Sequence, residues 1–245
     1  MLKSLPNILT ASNLFCGMVA LVFVATNNLI GASAMVATSL LMDWLDGFVA
    51  RLVGVSSPVG KELDSLADMV TFGAVPGFVM ANMIQAALNK EFVPNVIWHP
   101  AVPEDLPYFL IGFLVPIFSA LRLARFNLDE RQSDAFYGLP TPANTMLIFS
   151  LWMTSRWQPE SMLGSLLNNH WVLIGICLLS SYLLIADVRL LALKFKSFGF
   201  KGNEMRYLLI AISLGLLIAL QYAAVPLIIL VYFILSLIDN RKDNA

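Results

Sequence analysis

The chain has 245 residues, of which 58% are hydrophobic and 13% charged, with mean hydropathy +0.77. Soluble domains carry about a quarter charged residues, so this composition excludes a soluble globular protein and points to a polytopic membrane protein. A formal net charge of −1 gives no reason to expect a nucleic-acid partner.

Hydropathy and break signals predict about eight membrane spans, each near the ~20 residues that a bilayer core needs. They run over 10–29, 31–54, 62–88, 107–126, 141–157, 170–193, 205–221 and 224–239. The fold class is therefore all-α, a membrane helix bundle, and residues 1–245 read as one domain. Met1 to Asn13 lack the features of a cleaved signal peptide, so the first apolar segment reads as a retained anchor. Asn27, Asn28 and Gly31 mark the first turn, and Ser56 to Gly60 the second. The stretch from Pro94 to Pro107 is the longest polar connection. The last apolar block is too long for one span, and Gln221 with Pro226 offers a place to fold it into a hairpin. Cys16 and Cys177 lie apart in apolar runs and read as packing residues.

Alternating the spans with Lys3 inside puts all but two of the Lys and Arg residues on one side; only Lys90 and Arg156 fall on the other. By the positive-inside rule both termini face the cytoplasm. The same alternation sets Asp43 and Asp46 near the cytoplasmic end of the second span. Asp64 and Asp68 begin the third. Residues three or four apart share a helix face, and the connection between the spans is short. Four carboxylates can then converge on one point at the cytoplasmic interface. They repel one another unless a cation neutralises them. Carboxylate oxygens suit Mg²⁺ or Mn²⁺, as one ion or a close pair. Snorkelling, or pairing with Arg51 or Lys61, explains a single acid but not four with helical phasing. Gly47 and Ala50 leave a strip of the second span without bulk.

The run Asp43-Trp-Leu-Asp46-Gly47-Phe-Val-Ala50-Arg51, then Gly60, Asp64 and Asp68 after eight, three and three residues, resembles the motif of the CDP-alcohol phosphatidyltransferase family, with every fixed position present. LPNILTASNLFCG (5–17), SALRLARFN (119–127) and FYGLPTPAN (136–144) are similar to segments of the bacterial integral-membrane phosphatidylserine synthases within that family.

The resemblance implies the family fold and transfer of a phosphatidyl group from CDP-diacylglycerol to the hydroxyl of L-serine. It implies that Asp43, Asp46 and Asp64 ligate a divalent metal and that Asp68 is a ligand or the general base. Gly47, Ala50, Arg51 and Gly60 would shape the CDP site, with Asn7, Thr10 and Asn13 facing the nucleotide from the first span. Arg122, Arg125 and Asn127 are candidates for binding phosphate or the serine carboxylate. Lys194, Lys196, Lys201 and Arg206 read as a lipid-headgroup contact, and His99 and His170 as structural. The resemblance further implies a homodimer in the bacterial inner membrane, with the active site facing the cytoplasm. Two alternatives stay open: a transferase of the same family using glycerol 3-phosphate or inositol phosphate, and, more remotely, a divalent-cation transporter.

Overall fold

The computed structural model describes residues 4–54, 57–89, 106–129, 136–191, 199 and 203–243, and nearly all of these are helical. Helices α1 (Leu5–Ala25) and α2 (Leu29–Val53) pack along each other. Asn28 caps α2 by accepting the Gly31 N–H at 2.9 Å. Gly54 ends α2 in the left-handed conformation (φ 66°), where a Cβ is disfavoured, and turns the chain sharply back. Ser57 then accepts the Gly60 N–H at 2.9 Å and Pro58 occupies the first turn of α3 (Pro58–Asp68). These two stops explain why α2 and α3 lie so close in sequence yet form separate helices.

After Asp68 the helix widens into a π-helical turn over Met69–Ala74 before continuing as α4 (Val75–Asn89). Such turns frequently accompany functional sites. Neighbouring helices pin it. Thr145 Oγ lies 3.1 Å from the Phe72 carbonyl oxygen, and Thr71 Oγ donates to the Asn13 carbonyl at 3.3 Å. Gly17 of α1 lies directly against Thr71, where even a methyl group would overlap. Helix α4 is the centre of the bundle. Val75, Val79, Met80, Ala81 and Ile84 have no exposed surface, and they pack with Val24, Ala32, Ile148, Leu151 and Leu173 of the surrounding helices.

The remaining elements are α5 (Leu106–Ile111), α6 (Leu114–Leu128), β1 (Phe136–Tyr137), α7 (Thr141–Trp157), α8 (Met162–Leu166), α9 (His170–Ile185), β2 (Arg189–Leu190), α10 (Glu204–Leu220) and α11 (Ala224–Asp243). Among the described residues, five helical runs are long and apolar enough to cross a membrane: Leu5–Ala25, Leu29–Val53, Pro58–Leu88, Tyr108–Leu128 and Glu204–Asp239. Helices α7 and α9 have 17 and 16 residues. The last run breaks at Gln221 (φ 52°, ψ −118°). Leu209 before the break shares a buried cluster with Tyr232 and Leu235 after it, so α10 and α11 form a hairpin.

Several boundaries differ from expectation, and two of them have a clear physical cause. The first span begins at Leu5 because Pro6 sits in the first turn, where its missing N–H costs nothing. The sixth ends at Ile185 rather than 193, although the sequence stays apolar apart from Asp187 and Arg189. Ala186 is extended, and Arg189–Leu190 pair with Phe136–Tyr137 as a two-residue antiparallel ladder. The expected polar connection before α5 is outside the described residues, apart from its last two positions.

Gly17→Ala is expected to lower the thermal midpoint of the detergent-purified protein, by an amount equivalent to about 1–3 kcal/mol, because the added methyl overpacks the π turn. An unchanged midpoint would mean that α1 can retreat from Thr71 without loss.

Candidate active site

The sharp turn between α2 and α3 sets the last turns of one helix beside the first turns of the other. Carboxylate oxygens of Asp43, Asp64 and Asp68 all lie within 4.8 Å of one another. The Asp43 and Asp68 carboxyl groups are within hydrogen-bonding reach, and Asp64 Oδ1 is buried without a partner. Two unit negative charges about 4 Å apart repel by about 4 kcal/mol at an effective dielectric of about 20. The donor set is hard oxygen only, with an uncommitted buried lone pair, and this fits a divalent cation of the Mg²⁺ or Mn²⁺ type. Asp43, Asp64 and Asp68 are the residues that could hold it.

Asp46 departs from the expected convergence of four acids. It is close enough to the other three for its charge to act on them. It is not part of the triplet, because its carboxylate is taken by α1: Thr10 Oγ lies 2.7 Å from Asp46 Oδ2. The same hydroxyl is 3.0 Å from the Pro6 carbonyl oxygen, so its one proton serves one acceptor at a time.

Beside the acids lies a cavity of about 440 Å³ between α1, α2 and α3. It is lined by Asn7, Thr10, Asp46, Gly47, Ala50, Arg51, Gly60 and Asp64, together with Lys61, which the sequence reading did not single out. Small residues create this space. A Cβ on Gly60 would stand 3.0 Å from Ser57 Oγ and 3.2 Å from Asn7 Oδ1, while the Arg51 guanidinium reaches back to within 3.5 Å of where a Gly47 Cβ would be. A guanidinium, an ammonium and two amide or hydroxyl side chains suit a diphosphate and a polar base.

Asn13 is not in that cavity. It is fully buried one turn along α1, and its Nδ2 donates to Asp68 Oδ1 at 3.2 Å. Its own carbonyl accepts the Ser39 hydroxyl at 2.9 Å and the Thr71 hydroxyl at 3.3 Å, which fixes its backbone. Asn13 therefore orients an acid.

Arg122 and Arg125 of α6 line a second cavity, of about 470 Å³, with Tyr137, Ile185, Ala186 and Asp187. Arg122 is only 7% exposed, its guanidinium lies 5.7 Å from the Phe126 ring centroid, and its charge acts on Asp68. Arg122 Nε has no partner. Arg125 donates to the Ile185 carbonyl at 3.5 Å. Asn127 lies outside this cavity. Its Nδ2 donates to Ser65 Oγ at 2.8 Å and its carbonyl accepts Lys61 Nζ at 2.9 Å, so it ties the end of α6 to α3.

Thr141 and Asn144 were not singled out from the sequence. Both are buried at the start of α7, with Thr141 Oγ and both polar atoms of Asn144 unpartnered. They stand within one turn of Thr145, which reaches Phe72 in the π turn below Asp68. Ser119, packed on Gly73, is a third buried residue there with an unpartnered polar atom. A signal was available: Thr141, Asn144 and Thr145, three and four residues apart, form one polar stripe at the start of the helix, ahead of the apolar run 146–149. Lys194, Lys196, Lys201 and His99 lie outside the described residues. Arg206 donates to Asn203 Oδ1 at 3.0 Å, and His170 packs its ring against Tyr108 and Trp171.

The family model for CDP-alcohol phosphatidyltransferase matches residues 3–183. Among curated proteins, the CDP-diacylglycerol–serine O-phosphatidyltransferase of Helicobacter pylori (strain J99) is 28% identical over 246 residues, covering 95% of this chain and 89% of that protein. The Bacillus subtilis protein of the same name is 28% identical over 185 residues, covering 76% and 88%. That of Methanocaldococcus jannaschii is 27% identical over 186 residues, covering 76% and 73%. The motif acids, the cavity they border and the family match over most of the length agree: this chain belongs to the CDP-alcohol phosphatidyltransferase family.

Proposed function

We propose that the protein transfers the phosphatidyl group of CDP-diacylglycerol to the hydroxyl of L-serine, yielding phosphatidylserine and CMP. The observation that carries this reading is the acid triplet itself: Asp64 lines one cavity, and Asp68 is within electrostatic reach of Arg122, which lines another of different character. One is bordered by the motif glycines and suits a nucleotide diphosphate. The other is bordered by two arginines and suits a small carboxylate-bearing acceptor. Serine rather than another alcohol is supported by the flanking segments at 5–17, 119–127 and 136–144 and by the names of the relatives.

Asp43, Asp64 and Asp68 would hold the divalent ion, with Asp46 completing the set through or beside its contact with Thr10. Mg²⁺ or Mn²⁺, when bound, supplies charge neutralisation at the diphosphate. The chain's own residues do the rest. Asn7, Thr10, Gly47, Ala50, Arg51, Gly60 and Lys61 hold the cytidine diphosphate. Arg122 and Arg125 hold the serine carboxylate, and Thr141 and Asn144 offer it further polar partners. Asp68, oriented by Asn13, takes the proton of the serine hydroxyl as its oxygen bonds to the β-phosphorus. The bond from that phosphorus to the bridging oxygen breaks, and CMP leaves with both electrons of the bond. Positioning and charge neutralisation carry most of such a displacement.

In this reading residues 1–245 are one domain crossing the bacterial inner membrane eight times, with the acids at the cytoplasmic face. There the donor's acyl chains stay in lipid while serine and CMP exchange with water. The protein works as a homodimer, for which the broad apolar helix faces leave room.

The test is CMP release by detergent-purified protein supplied with CDP-diacylglycerol, Mn²⁺ or Mg²⁺ and a panel of alcohols. Metal-dependent release with L-serine alone, lost in Asp68→Asn, is the expected result. Release with glycerol 3-phosphate or inositol phosphate instead would keep the family chemistry and overturn the acceptor. Arg125→Ala is expected to raise the serine KM at least about tenfold, as loss of a charged hydrogen bond does. A second expectation separates the roles on α1. Asn13→Ala lowers kcat by about 10- to 100-fold, the usual cost of removing a group that orients a metal-binding acid, while the KM for CDP-diacylglycerol stays put. If that KM rises instead, Asn13 contacts the nucleotide after all.

A further inference from the structure

The hairpin of α10 and α11 is poorly embedded in the molecule. Only 6% of its most apolar window is buried, against 67% for the run containing α3 and α4. It also lies beyond residues 3–183, the part matched by the family model. Its polar attachments are correspondingly informative. At its turn, Gln158 at the end of α7 donates to the Leu220 carbonyl at 3.2 Å, and its Oε1 accepts the Ala223 N–H at 3.3 Å. Further along α11 the hairpin grips the extended segment after α9. Ser236 Oγ accepts the Leu191 N–H at 2.9 Å, and Tyr232 Oη donates to the Leu191 carbonyl at 2.9 Å. Both backbone groups of one residue are thus satisfied by two side chains of α11.

The grip is dry. Leu190, Leu191, Leu209, Tyr232 and Leu235 form a buried cluster around it, and Ser236 has no exposed surface. Backbone groups in such surroundings need partners, and a ladder of two residues leaves Leu191 without any from the strand. Ser236 and Tyr232 supply them.

The same extended segment forms a wall of the arginine cavity. Ile185, Ala186 and Asp187 line it, and Arg125 is anchored on the Ile185 carbonyl. Four residues after Ile185, β2 pairs with β1, which carries Tyr137, another lining residue. The Gly138 N–H donates to the Val188 carbonyl at 3.1 Å and the Leu139 N–H to the Leu183 carbonyl at 2.8 Å, fixing the chain just before α7 to this segment and to the end of α9. A displacement of Leu191 would be passed along a short, extended chain to the carbonyl that holds Arg125.

We infer that Tyr232 and Ser236 are positioning residues for the acceptor cavity, and that the C-terminal hairpin sets acceptor affinity by holding the segment 185–191. This rests on the reading of the arginine cavity as the acceptor pocket. Neither residue touches the cavity itself. Their effect is on the geometry of Arg125, Tyr137 and the backbone between Ile185 and Asp187.

The test is steady-state kinetics of the full-length protein in detergent, with L-serine and CDP-diacylglycerol varied separately, for Tyr232→Phe, Ser236→Ala, Gln158→Ala and Arg125→Ala. Tyr232→Phe and Ser236→Ala are each expected to raise the serine KM about three- to tenfold, the effect of one lost hydrogen bond, with kcat and the CDP-diacylglycerol KM unchanged. Gln158→Ala loosens the same hairpin at its other attachment and is expected to leave the serine KM alone. If Arg125→Ala raises the serine KM while the two α11 variants do not, the inference is wrong and the acceptor reading stands. If all four variants leave the serine KM unchanged, the acceptor reading fails and the inference with it. If Gln158→Ala mimics the α11 variants, or if both KM values and the thermal midpoint shift together, the hairpin is a general prop and the inference is overturned.

Discussion

The fold turns on the forced proximity of three carboxylates at the ends of two apolar helices. Asp43, Asp64 and Asp68 would separate if their helices were free to rotate or slide. Several features resist this. Gly54 and the Ser57 cap make the connection too short for α3 to move away from α2. Gly17 brings α1 against the π turn directly below Asp68, and Asn13 on the same helix holds an Asp68 oxygen. Thr10, one turn earlier, holds Asp46. The first helix, which carries no acid of its own, is therefore the brace of the acidic cluster. Because repulsion between carboxylates falls when a cation enters, a scaffold that holds them together beforehand is preorganised for that cation.

The parts legible in the sequence were those with a period or a fixed spacing. Acids three and four apart on consecutive helices fix which faces meet, and the capping residues at Asn28 and Ser57 fix where those helices start. The small residues Gly47, Ala50 and Gly60 predicted an open strip, and the cavity lies along it. What the spacing does not encode is rotation about each helix axis. A difference of one residue step, about 100° on a helix, decides whether an acid meets the triplet or a hydroxyl of α1. Asp46 went to Thr10, and Asn13 went to Asp68 although it repeats the spacing of Asn7 and Thr10.

The misplaced end of α9 has a different cause. Residues 186–193 are apolar except for Asp187 and Arg189, and hydropathy cannot tell a helix from an extended strand that is sheltered by other elements. The partners that make the extended form tolerable, β1 and the Tyr232 and Ser236 side chains, are distant in sequence. Long-range satisfaction of backbone groups has no local signature, so a helix was the expected answer. Asn127 illustrates the same limit on a smaller scale. Its neighbours Arg122 and Arg125 face the second cavity, yet its own amide turns to Ser65 on α3.

Two separate cavities are tied to the acids, one through Asp64 and one through Arg122, and displacement at phosphorus gives a use for both. Entering and leaving oxygens lie roughly in line through the phosphorus, so donor and acceptor must be held on opposite sides of the group that is transferred. Asp64 borders the cavity between α1, α2 and α3. Asp68, one turn on, is within electrostatic reach of Arg122 in the cavity between α6, α9 and β1. In the proposed reading the turn of helix between Asp64 and Asp68 is the divide between donor and acceptor. Lys61 and Ser65 on that same helix are joined to Asn127 at the end of α6. Any rotation of α3 that altered one cavity would strain this link to the wall of the other. An arrangement of this kind holds both sides of the divide in a constant relation, which in-line transfer requires and which a flexible loop between the sites would not supply.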